Sequence, residues 1–211
     1  LIAFNDLFIN IDVESWKDYL RANILASYAN YLPKIFVETK FDFYSKFLYG
    51  REQQQPRWRK AVNSINGNLG ELLGQLYVAK HFSADSKARM VIMVDNLIEA
   101  YAESIKQLEW MSEETKKQSL VKLSKFTPKI GYPDQWKDYT TLTIDAHDLV
   151  GNIKRSRAFS HTENMQKLGA PIDRDEWFMA PQEVNAYYNP GLNEIVFPAA
   201  YLQPPNFIAE A

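Results

Sequence analysis

Val184 to Phe207 reads VNAYYNPGLNEIVFPAAYLQPPNF. Val184–Tyr188 has the aromatic and β-branched content of a strand, Asn189-Pro190-Gly191 has turn residues, and Glu194–Phe197 reads as a second strand. Pro198, Pro204 and Pro205 restrict further pairing, because proline has no amide to donate. A β-hairpin is therefore expected at about 184–198. Its first strand contains Ala186, whose small side chain lets another backbone come close. Asn185 beside it carries both a donor and an acceptor. An extended peptide could add to such an edge through main-chain hydrogen bonds. The residues also fit a plainer reading, in which Ala186 faces a crowded core and Asn185 merely ends a strand.

Upstream of the hairpin the period is helical. Trp16, Leu20, Ile24 and Tyr28 recur every fourth residue, with capping residue types over Asp12 to Ser15. Pro33 can open a second helix, which Gly50 closes. Trp58, Val62, Ile65, Leu69, Leu72 and Leu76 form one continuous helical stripe. Gly67, Gly70 and Gly74 lie within it, each costing roughly 1 kcal/mol against Ala, so close approach of a neighbouring helix is expected there. Ser83 is expected to cap a long helix through Met90, Val94, Leu97, Tyr101, Ile105 and Leu108, and Ser112 the next, whose lysines form a solvated face. Pro128 to Tyr139 breaks the pattern. Helix resumes near Asp145 and runs to about Leu168, with Gly169 as its stop, and Pro171 to Trp177 is a charged connector.

Composition narrows the function classes. The 211 residues are 46% hydrophobic and 14% aromatic, enough for a sizeable core. A net charge of -2 gives no basic field for nucleic acid. The Arg57-Trp58-Arg59-Lys60 cluster is instead expected to be a helix start whose Trp points inward. No apolar run is long enough to span a bilayer. There is no cysteine, hence no disulfide and no thiolate metal site. The chain begins at Leu1 and stops at Ala211, and both ends are expected to be cuts in something longer.

Chemistry-bearing clusters are few. His81, His147 and His161 belong to no H-E-x-x-H. His147 and His161 are expected on one helix, too far apart along it to share an ion. Ser160, His161 and Asp173 could be assembled into a triad on paper, but no strained nucleophile turn supports it. Asp173, Asp175 and Glu176 are expected in a surface turn.

The hairpin closely resembles that of the neprilysin family of zinc metalloendopeptidases, whose pattern is V-N-A-[YF]-Y, a short turn, then N-x-I-V-F-P-A-x-x-L-Q-P-P. RWRKAVNSINGNLGELLGQLYVAKHF, LEWMSEETKKQSLVKLSKFTPKIGYPDQW and PIDRDEW are similar to it in the same order. The resemblance implies a mainly α fold: the later, cavity-covering part of a helical domain over residues 1–150, then a helix and a β-hairpin opening a thermolysin-like catalytic domain over 151–211. It implies that Asn185 and Ala186 hold a peptide substrate antiparallel to the hairpin edge. Tyr201 and Asn206 would contribute to the pocket for the side chain after the scissile bond. Many relatives carry an aliphatic and an aromatic residue there, so the usual preference for large apolar side chains is in question.

The family's zinc motif would follow the end of this chain. The parent is thus expected to be a zinc-dependent endopeptidase of small to medium peptides. This chain is expected to hold no catalytic residue and no metal, and to cleave nothing alone. Its partners would be peptide substrates and the rest of the catalytic domain, with no nucleic acid and no membrane segment. The lack of cysteine resembles bacterial members, and the resemblance favours a periplasmic or secreted location. The competing expectation is a non-enzymatic helical interaction module that has lost the metal site.

Overall fold

The computed structural model describes residues 2–209. Leu1 and Ala211, the outer limits of the two expected domains, lie outside the described residues. Eight α-helices and a three-stranded sheet are present among those described. The chain forms two compact units, residues 1–62 with 142–161, and residues 63–141 with 162–211.

The first unit is helical. α1 is Ile2–Asn10 and α2 is Val13–Tyr28. Asp12 caps α2, its carboxylate accepting from the Ser15 amide at 2.9 Å. That bond holds the Asp12 carboxyl below its usual value. α3, Lys34–Lys40, follows Pro33 and runs into a π-helical stretch, Phe41–Phe47. Gly50 ends it at φ +66°, a conformation only glycine adopts freely. Lys40 Nζ donates to Ala26 O at 2.8 Å, tying α3 to α2.

α8 is Leu149–Gln166. Its start is fixed by Asp148, whose carboxylate accepts from the Gly151 amide at 2.8 Å and pairs with Arg155 at 3.1 Å. A Cβ at Gly151 would lie 1.7 Å from that carboxylate, so a larger residue there would make the Asp148 side chain shift. The helix thus begins later than Asp145, and His147 lies in the turn before it, not on the helix with His161. Arg157 lies over the Tyr28 ring at 4.3 Å and donates to Ser27 O, joining α8 to α2.

The second unit contains the sheet. The expected single stripe over Trp58–Leu76 is two helices, α4 (Arg57–Asn68) and α5 (Gly70–His81), broken at Leu69 with φ -136° and ψ 38°. Trp58, in the first turn of α4, points outward at 63% exposure with the Arg59 guanidinium over its ring. Val62, Ile65 and Leu76 are exposed as well. Ser83 caps α6 (Ala84–Gln107), and Ser112 caps α7 (Glu113–Ser124), each accepting from the amide three residues on.

The stretch read as a pattern break contains a strand, β1 (Thr127–Gly131), so the hairpin is not alone. β2 is Tyr187–Asn189 and β3 is Glu194–Pro198. The order is β1-β3-β2, with β1 parallel and β2 antiparallel to β3. One face of this sheet, bearing Ile130 and Phe197, packs on α6 around Phe82, Met90, Val94, Leu202 and Phe207. Gly131, at φ +77°, closes β1 against the Phe82 ring, 2.5 Å from where a Cβ would stand.

Candidate substrate-binding edge

β3 is the central strand, so β2 is an edge strand of this sheet among the described residues. Its pairing begins at Tyr187↔Val196 and ends at Asn189↔Glu194. The first strand is therefore shorter than Val184–Tyr188. Continuing the register puts Asn185 opposite Pro198, which has no amide to donate, and the ladder stops short of it. Val184–Ala186 thus leads into the edge without a partner strand. Val184 is 76% exposed, Asn185 is exposed and Ala186 half-buried. Asn185 Oδ1 accepts from the Ala186 amide at 2.9 Å.

The turn is closed by Asn189, whose Oδ1 accepts from the Gly191 amide at 3.0 Å. Asn193 follows at φ +54°, and its side chain bonds Lys122 O and the Tyr188 hydroxyl. Arg174 donates to Leu192 O at 3.1 Å, tying the charged connector to the hairpin. Asp173 Oδ1 accepts from the Asp175 amide at 2.8 Å, a local turn as expected.

Beneath the edge lies a buried polar group that sequence reasoning missed. Alternation puts Lys129, Glu194, Val196 and Tyr187 on the sheet face away from α6. Lys129 is 7% exposed, Glu194 is 1% exposed, and their charged atoms are 2.7 Å apart. Lys129 also donates to Glu176 O at 2.8 Å, while Glu194 Oε1 has no hydrogen-bond partner. Tyr187 accepts from the Phe178 amide at 3.2 Å. Burial pushes the Tyr187 hydroxyl pKa up, and the Glu194 and Glu176 charges add to it. A charged residue in each of two short strands was the only available signal, and it is not distinctive.

Tyr201 and Asn206 come together after β3. Tyr201 stacks on Phe197 at 5.9 Å, and Asn206 Nδ2 donates to Tyr201 O at 3.3 Å. His81 lies at the end of α5, its ring 5.0 Å from that of Tyr77. No three His, Asp or Glu side chains among the described residues come together to hold a metal ion. The residues present therefore do not form a zinc site.

A helical chain carrying a short three-stranded sheet, with β1 and β2 at its edges, is shared with solved peptidases. The family model described as Peptidase family M13 matches residues 1–133, and the chain belongs to that family, which includes the neprilysins. Human neprilysin is 34% identical over 175 residues, covering 79% of this chain and 23% of its own length. Neprilysin-11 of Caenorhabditis elegans is 33% identical over 211 residues, covering 96% and 25%.

Among solved structures, the zinc metalloprotease Zmp1 of Mycobacterium tuberculosis, in complex with inhibitor, superposes with a TM-score of 0.90 at 47% identity. It covers 100% of this chain and 32% of its own. PepO of Lactobacillus rhamnosis gives 0.83 at 31% identity, covering 93% and 31%. The chain thus spans about a quarter of the curated relatives and about a third of the solved ones.

Proposed function

We propose that this chain supplies the substrate-aligning edge and part of the cavity wall of a zinc-dependent metalloendopeptidase that hydrolyses small to medium peptides. The observation that carries this reading is the free edge of β2, entered through exposed Asn185 and half-buried Ala186, in a chain of an M13 peptidase. A peptide laid antiparallel there gains main-chain hydrogen bonds, and Ala186 gives its backbone room. Asn185 contributes a side-chain donor and acceptor to the same peptide.

On this reading residues 1–150 belong to a helical domain and 151–211 open the catalytic domain. The chain is one segment of a longer protein, in keeping with its short span of its relatives and its many exposed apolar side chains. Zinc is held elsewhere in the parent and would polarise the scissile carbonyl and activate water. No catalytic step falls to the residues described here. Tyr201 and Asn206 border the pocket for the side chain after the scissile bond. The parent works outside the cytoplasm. No helix among the described residues is long and apolar enough to cross a membrane, and the net charge of -2 gives no field for nucleic acid.

The test is Asn185→Ala in the intact protein. Peptide kcat/KM is expected to fall about tenfold or more, the loss of one or two backbone-directed bonds, with bound zinc unchanged. Unaltered kinetics would return Asn185 to the role of a strand end.

A further inference from the structure

We infer that Gly74 and Gln182 are positioning residues that set where the peptide-aligning segment Val184–Ala186 lies, an inference that rests on the peptidase reading above. The segment hangs between two anchors. Downstream is Tyr187, held by the ladder to Val196 and by the Phe178 amide. Upstream is the turn Ala180–Glu183, docked on α5. Within that turn the Glu183 amide donates to Ala180 O at 3.0 Å, and Glu183 Oε1 accepts from the Ala180 amide at 2.8 Å. Pro181 is fully buried, and its carbonyl accepts from the Ala200 amide at 2.8 Å.

Gln182 Nε2 donates to Gly70 O at 2.8 Å and to Asn66 Oδ1, so both of its hydrogens are spent on the end of α4 and the start of α5. Its Oε1 is buried without a hydrogen-bond partner. A Cβ at Gly74 would stand 2.8 Å from Pro181 Cδ, 3.2 Å from its Cγ and 3.0 Å from Gln182 Oε1. Gly74 is therefore the floor on which the turn rests, and any side chain there lifts it. This is also what the glycines in the helical pattern are for. The close approach is made by an extended turn, not by another helix, and Gly67 takes no part in it, having nothing within 4 Å.

The turn leads straight into Asn185, three residues beyond Gln182. A rigid backbone passes a displacement at Pro181 on to Asn185 and Ala186. A displaced aligning segment weakens the hold on the peptide equally in the ground and transition states, which raises KM and leaves kcat nearly unchanged. The chemistry would be untouched, because neither residue reaches a reacting atom.

The experiment uses the intact protein and a peptide substrate, with Gly74→Ala, Gln182→Met and the double variant Gly74→Ala/Pro181→Ala. Alanine suits a helix better than glycine, so Gly74→Ala should keep α5 formed. It is expected to raise KM about tenfold with kcat within about twofold, at unchanged zinc content and with the protein still folded at the assay temperature, its melting temperature modestly lowered by the crowding. Adding Pro181→Ala removes the Cγ and Cδ that the new methyl would strike, and KM should return toward the wild type. Gln182→Met, which keeps the length but donates nothing, should raise KM in the same way. An active wild type whose KM is unmoved in both single variants would overturn the assignment. So would variants that lose kcat, KM and melting temperature together without rescue. A wild type that cleaves no peptide would sink the peptidase reading and this assignment with it.

Discussion

At the scale of single residues, charge burial gives the sharpest expectations. Glu194 is 1% exposed and pairs with Lys129 at 2.7 Å, its only ion pair among the described residues. Lys129→Met alone should destabilise the protein by about 3–5 kcal/mol, because it strands a buried carboxylate. The double replacement Lys129→Met/Glu194→Leu should recover most of that loss, as apolar substitutes for buried pairs commonly do. Urea unfolding of both variants checks this, and equal losses in the two would refute it.

Tyr139 behaves differently. Burial, and then the Glu71 charge, push its hydroxyl up to about 12. The folded state holds that proton more tightly than the unfolded chain does, whose value is about 10. The resulting stabilisation is complete below about pH 10 and is lost as pH rises toward about 12. Tyr139→Phe should flatten that part of an alkaline unfolding curve.

On the proposed reading Asn206 would bear on selectivity. Its amide reaches Tyr201 O at 3.3 Å, which on that reading would put a polar group at the pocket border. Asn206→Phe should raise kcat/KM about tenfold for peptides with a large apolar side chain after the cleaved bond. No change in a panel of such peptides would remove Asn206 from the pocket. The exposure of Asn185 and the strand edge beside it were legible from residue types and turn chemistry, while a peptide-holding role for Asn185 and Ala186 came only from the family resemblance. Lys129 and Glu194 were not legible, because a buried ion pair is made by a register that distant residues set.

At the scale of elements, the caps were readable and the long-range pairings were not. Asp12, Ser83 and Ser112 each cap the helix that their position announces, through a bond to an amide three residues away. Such bonds are local, so the local sequence encodes them. β1 escaped detection because TPKIG has a proline and a lysine, and its hydrogen bonds go to a strand almost seventy residues later. The break at Leu69 escaped for a similar reason. The apolar spacing runs straight through it, and only the docking of Ala180 and Pro181 on Gly70 and Gly74 shows that the two halves do different work.

Gly131 tests how β1 is held. Gly131→Ala adds a methyl 2.5 Å from the Phe82 ring at a positive φ. It should destabilise the protein by at least about 2 kcal/mol, and Phe82→Ala in the same background should not add its full cost. A thermal melt of the two single variants and the double variant decides it.

At the scale of the whole molecule, apolar side chains face outward along much of the chain, from Phe4 and Phe8 through Trp58 and Leu76 to Leu168 and Ile172. The inward Trp58 expected from the helical stripe presumed that amphipathic period means burial within the same chain. Period tells which face is apolar and says nothing of what covers it. Fold class and family were legible nonetheless, because cap, stripe and hairpin patterns each point to one element type and occur here in the family's order.

The Asn185 side chain satisfies the amide of its own neighbour, Ala186. Any peptide carbonyl that takes that amide must first displace the side-chain oxygen, so the encounter is a swap of partners and not a fresh gain. The swap leaves Asn185 free to turn its amide toward the newcomer, and when the newcomer departs the neighbour is waiting. On the proposed reading this one exchange would lower the net gain at Ala186 and so ease release of the peptide from the edge.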